Sequence, residues 1–167
     1  DSGEIQEYMD NLKQRYDLLK HQEFCRDELV NSILTIKKEQ CAERGILFDV
    51  KVEDCIYNGI EEIDIVGLLH NLLDNAVEAQ DRITDGDEKG VWFSMRRDEK
   101  NIWIHVRNRV QKGEKVTFET SKARKEEHGI GTKIIENLVE KYSGTMKIRV
   151  DEKEGIFEEE IILCCKE

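Results

Sequence analysis

Hydrophobic side chains recur along the chain with two periods, and these periods predict most of its secondary structure. Apolar residues three and four positions apart indicate a helix over residues 4–44, which Gly45 ends. The same spacing predicts a second helix over about residues 64–83 and a third over residues 132–143. Alternation of apolar and polar residues predicts strands at 46–52, 91–95, 102–106, 145–150 and 156–165.

This order of elements predicts an α+β domain. Helices that cover one face of a mixed, mostly antiparallel sheet form a two-layer α/β sandwich, with an additional helix at the N-terminus. We expect residues 1–25 to be a helical stub and residues 26–167 to form the domain itself. The polar segment 110–127 has no clear period, and loops of this length are usually functional or disordered.

The net negative charge of the chain disfavours partners that are themselves negatively charged. The chain has 26 Lys and Arg residues against 37 Asp and Glu residues, a net charge of −11, which disfavours nucleic acid and anionic membranes as partners. Five cysteines without a CxxC pair favour a reducing compartment. The chain begins at Asp1 without methionine, so we expect a piece of a longer protein, cytoplasmic as its cysteines indicate, and that longer protein could contain a membrane segment elsewhere.

Two asparagines lie one helical turn apart in the segment GLLHNLLDNAVEAQ, residues 67–80. Asn71, Asn75 and Glu78 are spaced by four and three residues, so they face the same way on a helix. The two amides either face solvent or a neighbouring loop, or their oxygens hold a hydrated divalent cation. Mg²⁺ suits the second interpretation because it keeps waters and takes few protein oxygens besides substrate phosphates.

Two glycines precede the third predicted helix in the segment HGIGT, residues 128–132. Gly129 and Gly131 would let a ligand approach the backbone, and the N-terminus of the following helix would attract a phosphate. A tight turn explains a lone Gly-x-Gly equally well. The succession of paired asparagines, a hairpin, a long polar segment and this glycine pair fits one nucleotide pocket.

That succession resembles the GHKL superfamily, which has the Bergerat nucleotide-binding fold, and within it the sensor histidine kinases. NLLDNAVEA at residues 71–79 resembles their N box, and HGIGTKIIENLVEKYSG at 128–144 resembles the second glycine box. The branch most resembled is the accessory-gene-regulator (AgrC-like) peptide-pheromone sensor kinases. Glu78, the TSK of residues 120–122, His128 and the segment NSILTIKKEQCAERGI carry this finer resemblance, which covers about residues 26–167.

The resemblance implies an ATP site in which Asn75 binds Mg²⁺, and it implies that Asn71 and Asn75 are the catalytic residues. Asn71 occupies the position at which the ATP-hydrolysing relatives have a glutamate base. An amide cannot take a proton near neutral pH, so phosphoryl transfer to a protein is favoured over hydrolysis. The residues implied to bind the nucleotide are Asn71, Asn75, Glu78, Asn108, Lys122, His128, Gly129, Ile130, Gly131 and Thr132.

One motif departs from the family pattern. Most histidine kinases have Asp-x-Gly-x-Gly after the second hairpin strand, and its aspartate binds the amino group of adenine. This chain has HVRNRVQKGEK there, and Asn108 is the nearest substitute. In the polar loop, Lys122 is the preferred phosphate ligand, although Arg124 or Lys125 could serve instead.

The implied function is the ATP-binding catalytic domain of a two-component sensor histidine kinase that acts in quorum sensing. It would transfer the γ-phosphate of Mg-ATP to a histidine on a dimerisation helix outside this chain, so the fragment is not expected to autophosphorylate alone. The implied partners are that helix, a response regulator and a second copy of the full-length protein. The alternatives are a non-catalytic interaction module of the same fold, or an ATPase or serine kinase of the superfamily.

Overall fold

The computed structural model describes residues 3, 9–10, 24–53, 57–84, 86–113 and 129–165. Gly3, Met9 and Asp10 have helical backbone geometry. The elements of the remaining ranges are α1 (Glu28–Glu43), β1 (Leu47–Val52), α2 (Glu62–Ala79), β2 (Gly90–Arg97), β3 (Asn101–Arg109), α3 (Gly129–Lys141), β4 (Thr145–Asp151) and β5 (Ile156–Cys164). A 3₁₀ turn, Gln80–Arg82, follows α2 directly.

The five strands form one mixed sheet in the order β1-β2-β3-β5-β4. β1 and β2 are parallel, because α2 connects them and crosses back over the sheet. The other neighbouring strands are antiparallel, and the β2–β3 and β4–β5 pairs are consecutive in the chain. The predicted α+β class, with a mostly antiparallel mixed sheet, is therefore confirmed.

The helices pack on one face of this sheet, which we call the inner face. Strand residues that are directly paired share a face, so the register identifies the inner side chains in each strand. α1 packs against β1, α2 against β3, and α3 against β4 and β5. The core between the layers is dominated by branched aliphatic side chains that are almost fully buried, among them Leu68, Leu69, Leu72, Leu73, Val91, Ile102, Ile104, Ile135, Ile161 and Leu163.

The prediction of one continuous helix over residues 4–44 was wrong. The backbone is not helical at Phe24, Cys25 or Arg26, and α1 begins only at Glu28. Asp27 caps it by accepting a hydrogen bond from the N–H of Val30 at 2.8 Å, a contact that contributes about 1 kcal/mol. The apolar pattern blurs between His21 and Arg26 and resumes at Leu29, and local side-chain bonds to the backbone compete with the helix there and interrupt it.

The start of α2 is fastened to the end of α3. The N–H of Glu61 donates to the hydroxyl of Tyr142 at 3.0 Å, and that hydroxyl donates to Asp64. Lys141 Nζ also donates to Asp64 Oδ2, at 2.6 Å. Burial acts to raise the pKa of Asp64, but the hydrogen bonds from Lys141 and Tyr142 outweigh it and lower the pKa. This brace fixes the two helices side by side at the end away from the asparagines.

Candidate functional site

The inner face of the sheet is not covered evenly by the helices. One end of the sheet, formed by the start of β3 and the end of β5, lies next to the C-terminus of α3. At this end, Ile102, Ile161 and Leu163 are completely buried. At the opposite end, the inner residues Ile148, Val150, Phe157 and Glu159 are only partly buried. Because β4 runs back from the end of α3, this opposite end lies toward the start of α3. Among the described elements, the helical layer therefore leaves a gap there, and we call it the inner-face gap.

Asn71 and Asn75 of α2 lie on one stripe, as the spacing predicted, and both are half-buried. The Nδ2 atom of Asn71 donates to the carbonyl oxygen of Gly67, one turn earlier, at 2.6 Å. The side chain of Asn75 makes no hydrogen bond with any residue in the described part of the chain. Within the described ranges, nothing therefore occupies its amide oxygen, which can face a ligand. Glu78 continues the stripe and is exposed.

The start of α3 differs from the prediction, which placed the glycines before the helix. α3 runs over Gly129–Lys141, so both glycines lie in its first turn, and neither has a positive φ. The requirement at Gly131 is space, because a Cβ atom there would lie 2.7 Å from Oδ1 of Asn71. The second glycine thus lets the first turn of α3 approach the asparagine stripe of α2. Ile130 between the glycines is highly exposed, and Thr132 is half-buried.

Asn108 lies at the gap end of β3 and faces the inner side. It is 3% exposed, and its Nδ2 atom donates to the carbonyl oxygen of Arg109 at 2.9 Å. Its Oδ1 atom accepts no hydrogen bond from the described residues. A buried polar atom without a partner is uncommon and calls for an explanation, and a ligand donor group such as an amino nitrogen would satisfy it.

Gln80 is a buried residue of this region whose role the sequence did not reveal. Its Oε1 atom accepts from the N–H of Gly90 at 2.9 Å, and its Nε2 atom donates to the carbonyl oxygens of Ala76 and Arg109, both at 3.0 Å. One side chain therefore joins the end of α2 to the start of β2 and the end of β3. It holds the asparagine stripe in a fixed position relative to Asn108.

A cluster of polar side chains between α1 and α2 was also not predicted from the sequence. Lys37 of α1 is 3% exposed, and its Nζ atom contacts Asp74 and donates to Gln40 Oε1 at 3.1 Å. His70 Nε2 lies 2.8 Å from the other carboxylate oxygen of Asp74. Asp74, the residue before Asn75, thus connects α1 to α2, and its carboxylate is engaged away from the asparagine stripe.

Several predicted site residues lie outside the described residues. Lys122, Arg124, Lys125 and His128 belong to the segment 114–128. Their predicted roles stay predictions. Within the described ranges, no helix is long and apolar enough to cross a membrane, and no cluster of three or more His, Cys, Asp or Glu side chains could hold a metal ion.

The polar groups of α2 and of the first turn of α3 fit a hydrated Mg²⁺ ion better than a metal ion whose ligands all come from the protein. Mg²⁺ needs only one or two protein oxygens when waters and phosphates complete its shell, and Asn75 offers such an oxygen. The first turn of α3 adds unpaired backbone N–H groups and the positive end of the helix dipole. Together with Oδ1 of Asn108, which accepts no hydrogen bond from the described part of the chain, the arrangement can bind a phosphate group at one side and a hydrogen-bond donor at the other.

The comparison with solved structures supports the same fold. The nucleotide-free catalytic domain of the histidine kinase ThkA superposes with a TM-score of 0.64 at 16% identity, covering 83% of this chain and 91% of that one. The Acinetobacter baumannii histidine kinase AdeS gives a TM-score of 0.60 at 12% identity over 98% of this chain and 80% of the other. Full-length ShkA in complex with AMPPNP gives 0.61 at 14% identity, covering 83% of this chain and 30% of that one.

The comparison of sequences identifies the family. A search of curated proteins found no match. The sequence profile described as the GHKL domain matches residues 60–163, which is more than half of the chain and includes α2, the hairpin, α3 and both last strands. The solved structures above show that this fold, with its five-stranded sheet in the present chain, recurs in catalytic domains of histidine kinases. The chain therefore belongs to the GHKL family of ATP-binding domains, which includes the catalytic domains of histidine kinases.

Proposed function

We propose that this chain is the ATP-binding catalytic domain of a two-component sensor histidine kinase. It binds Mg-ATP in the inner-face gap and transfers the γ-phosphate to a histidine on a dimerisation helix outside the chain. The observation that carries the proposal is the half-buried amide of Asn75, which has no hydrogen-bond partner among the described residues and lies on the stripe of α2 that faces the first turn of α3. Family membership supports the nucleotide, and the amide supports the cation.

In this mechanism the protein mainly positions charge. Mg²⁺, when bound, neutralises the phosphates, and Asn75 is its protein ligand, with Asn71 and Glu78 near it on the stripe. The first turn of α3, with Gly129, Ile130, Gly131 and Thr132, binds the phosphates through its N–H groups. Asn108 accepts a hydrogen bond from the adenine amino group. Asn71 cannot serve as a base for an attacking water, which favours transfer over hydrolysis.

The finer assignment rests on the sequence motifs. The AgrC-like motifs support a peptide-pheromone kinase of quorum sensing, anchored in the membrane by its parent protein and dimeric at full length. A response regulator would then receive the phosphate. Residues 1–25 would be the remainder of a dimerisation helix, and Lys122 and His128 would contact the nucleotide from the segment before α3.

The first test is calorimetric titration with a non-hydrolysable ATP analogue, with and without Mg²⁺. We expect the Asn75→Ala variant to lose at least about tenfold in affinity with Mg²⁺, which corresponds to about 1.4 kcal/mol, and little without it. Asn137→Ala is the matched control, because Asn137 is an exposed asparagine on α3 and should leave binding unchanged.

The outcomes separate the alternatives. Binding that does not depend on Mg²⁺, or that Asn75→Ala leaves intact, would contradict the placement of the metal. No binding at millimolar analogue by folded protein would favour a non-catalytic interaction module. Once the parent's dimerisation helix is supplied, phosphohistidine should form, whereas release of phosphate without a phosphoprotein would indicate an ATPase and phosphoserine a serine kinase.

A further inference from the structure

Glu159 is the one carboxylate among the strand residues of the inner face. Its direct partners in the register are Val106 on β3 and Ile148 on β4, so it lies in an apolar row. Its two neighbours in β5, Glu158 and Glu160, point to the opposite face. A strand with three consecutive glutamates thus places one of them inside, where burying an unpaired charge is costly.

The side chain of Glu159 makes no hydrogen bond or ion pair with the described residues. Burial raises its pKa to about 7, with no contribution from a neighbouring charge. The strands β3 and β4 present no titratable side chain to this face beside it. On the helices, the charged residues of the asparagine stripe and of the first two turns of α3 are Glu78, Lys133 and Glu136, and all three are exposed. The carboxyl group is therefore substantially protonated near neutral pH.

Glu159 lies close enough to Asn108 for both side chains to contact one ligand. Asn108 is directly opposite Phe157 in the register, and Glu159 follows two residues later on the same face. Diagonal neighbours of this kind have Cα atoms about 7–8 Å apart, within reach of one planar base. Glu159 is also only partly buried, because it lies at the floor of the inner-face gap.

We propose that Glu159, in its acid form, is a specificity-determining residue that recognises the adenine base beside Asn108; this inference rests on the proposed nucleotide-binding function. A protonated carboxyl group presents one O–H donor and one carbonyl acceptor. The adenine edge presents the complementary pair, the N1 acceptor and an N6–H donor. The second N6–H is then available to Oδ1 of Asn108. Guanine has a donor at N1 and is mismatched with the acid form.

The predicted consequence is a pH-dependent affinity. When the pH exceeds the pKa of Glu159, the carboxylate must take up a proton before adenine binds. We therefore expect the affinity for an ATP analogue to fall about tenfold between pH 6 and pH 8, since each pH unit above the pKa lowers the acid fraction about tenfold. Glu159→Gln keeps a donor and an acceptor without titrating, so its affinity should lose this dependence.

The experiment is calorimetric titration at pH 6, 7 and 8 of the wild-type chain, Glu159→Gln and Glu160→Gln. The ratio of wild-type to Glu159→Gln affinity removes the titration of the nucleotide's own phosphates. Glu160 is the matched control, because it is the next residue of the strand and lines an open cavity of about 270 Å³ on the opposite face of the sheet. It should behave as the wild type does.

A nucleotide-free readout accompanies the titration. Because the folded-state pKa of Glu159 is raised, its contribution to stability is present below the unfolded value of 4.5 and is lost as the pH rises to about 7. Relative to the wild type, Glu159→Gln should therefore gain thermal stability between pH 5 and pH 8. A wild-type-to-Gln affinity ratio that is constant with pH would overturn the inference while leaving nucleotide binding intact. Absence of binding by every folded variant would overturn the proposed function as well.

Discussion

Replacing Gln80 by leucine tests whether one buried amide holds the site together. Gln80 is fully buried, and its side chain forms three hydrogen bonds of 2.9–3.0 Å to the backbone. Leucine has a similar volume but offers neither donor nor acceptor. The N–H of Gly90 then loses its acceptor inside a buried environment, whereas the carbonyl of Arg109 keeps the hydrogen bond from Asn108.

The magnitude follows from these contacts. Leaving a buried N–H unsatisfied costs about 1–3 kcal/mol, and each of the other two hydrogen bonds contributes about 1 kcal/mol net. The additional apolar surface of leucine offsets roughly 1 kcal/mol of this loss. We therefore expect Gln80→Leu to lower the free energy of unfolding by about 2–4 kcal/mol, a large fraction of the 5–15 kcal/mol typical of a domain.

The assay is urea denaturation followed by circular dichroism. Gln111→Leu is the control, because Gln111 bonds only at the surface, where its Oε1 atom accepts from the N–H of Thr84 at 3.1 Å, and should cost less than about 1 kcal/mol. A loss for Gln80→Leu no larger than that of Gln111→Leu would refute the reasoning. Nucleotide affinity should fall as well, since Gln80 fixes the strand end that carries Asn108.

Two further predictions concern glycines. Gly131→Ala should displace the Asn71 side chain, since the new Cβ would lie 2.7 Å from Oδ1, and should lower the affinity for Mg-nucleotide about tenfold. Gly67→Ala is the control, because its Cβ would make only ordinary contacts, the shortest at 3.7 Å. It should leave binding unchanged and stabilise α2 by up to about 1 kcal/mol. Equal affinities for the two variants, measured by titration, would contradict this. Gly144→Ala should lower the free energy of unfolding by at least about 1–3 kcal/mol, since its Cβ would lie 2.3 Å from the backbone oxygen of Ile162. An unchanged midpoint of urea denaturation would contradict the packing described for Gly144.

Local pattern was sufficient for the type and order of the elements. Strand alternation and helical periodicity report which side of an element is apolar, and this is a local property of the chain. The stripe of Asn71 and Asn75 was predictable for the same reason, because a helix fixes the direction of residues four apart. The GHKL family was also recognisable, since its two main motifs are contiguous segments.

The ends of the helices were less predictable. α1 begins at Glu28 because Asp27 caps it, whereas the apolar pattern, which blurs before Asp27 and resumes at Leu29, did not show that the helix is interrupted. α3 includes Gly129 and Gly131, although glycine has a low helix propensity. There, the close approach of Asn71 requires a residue without a side chain. A contact between two helices thus outweighs the intrinsic preference of one residue.

The sequence by itself determined the type and order of most elements, the family, and the stripe that Asn71 and Asn75 share on α2. Only the tertiary structure decided which polar side chains are buried and what they contact. Gln80 joins three elements, Lys37 is buried against Asp74, and Glu159 alone of three successive glutamates faces inward. The physical reason is that burial and hydrogen bonding depend on residues distant in the chain, and no local pattern specifies which of them will meet.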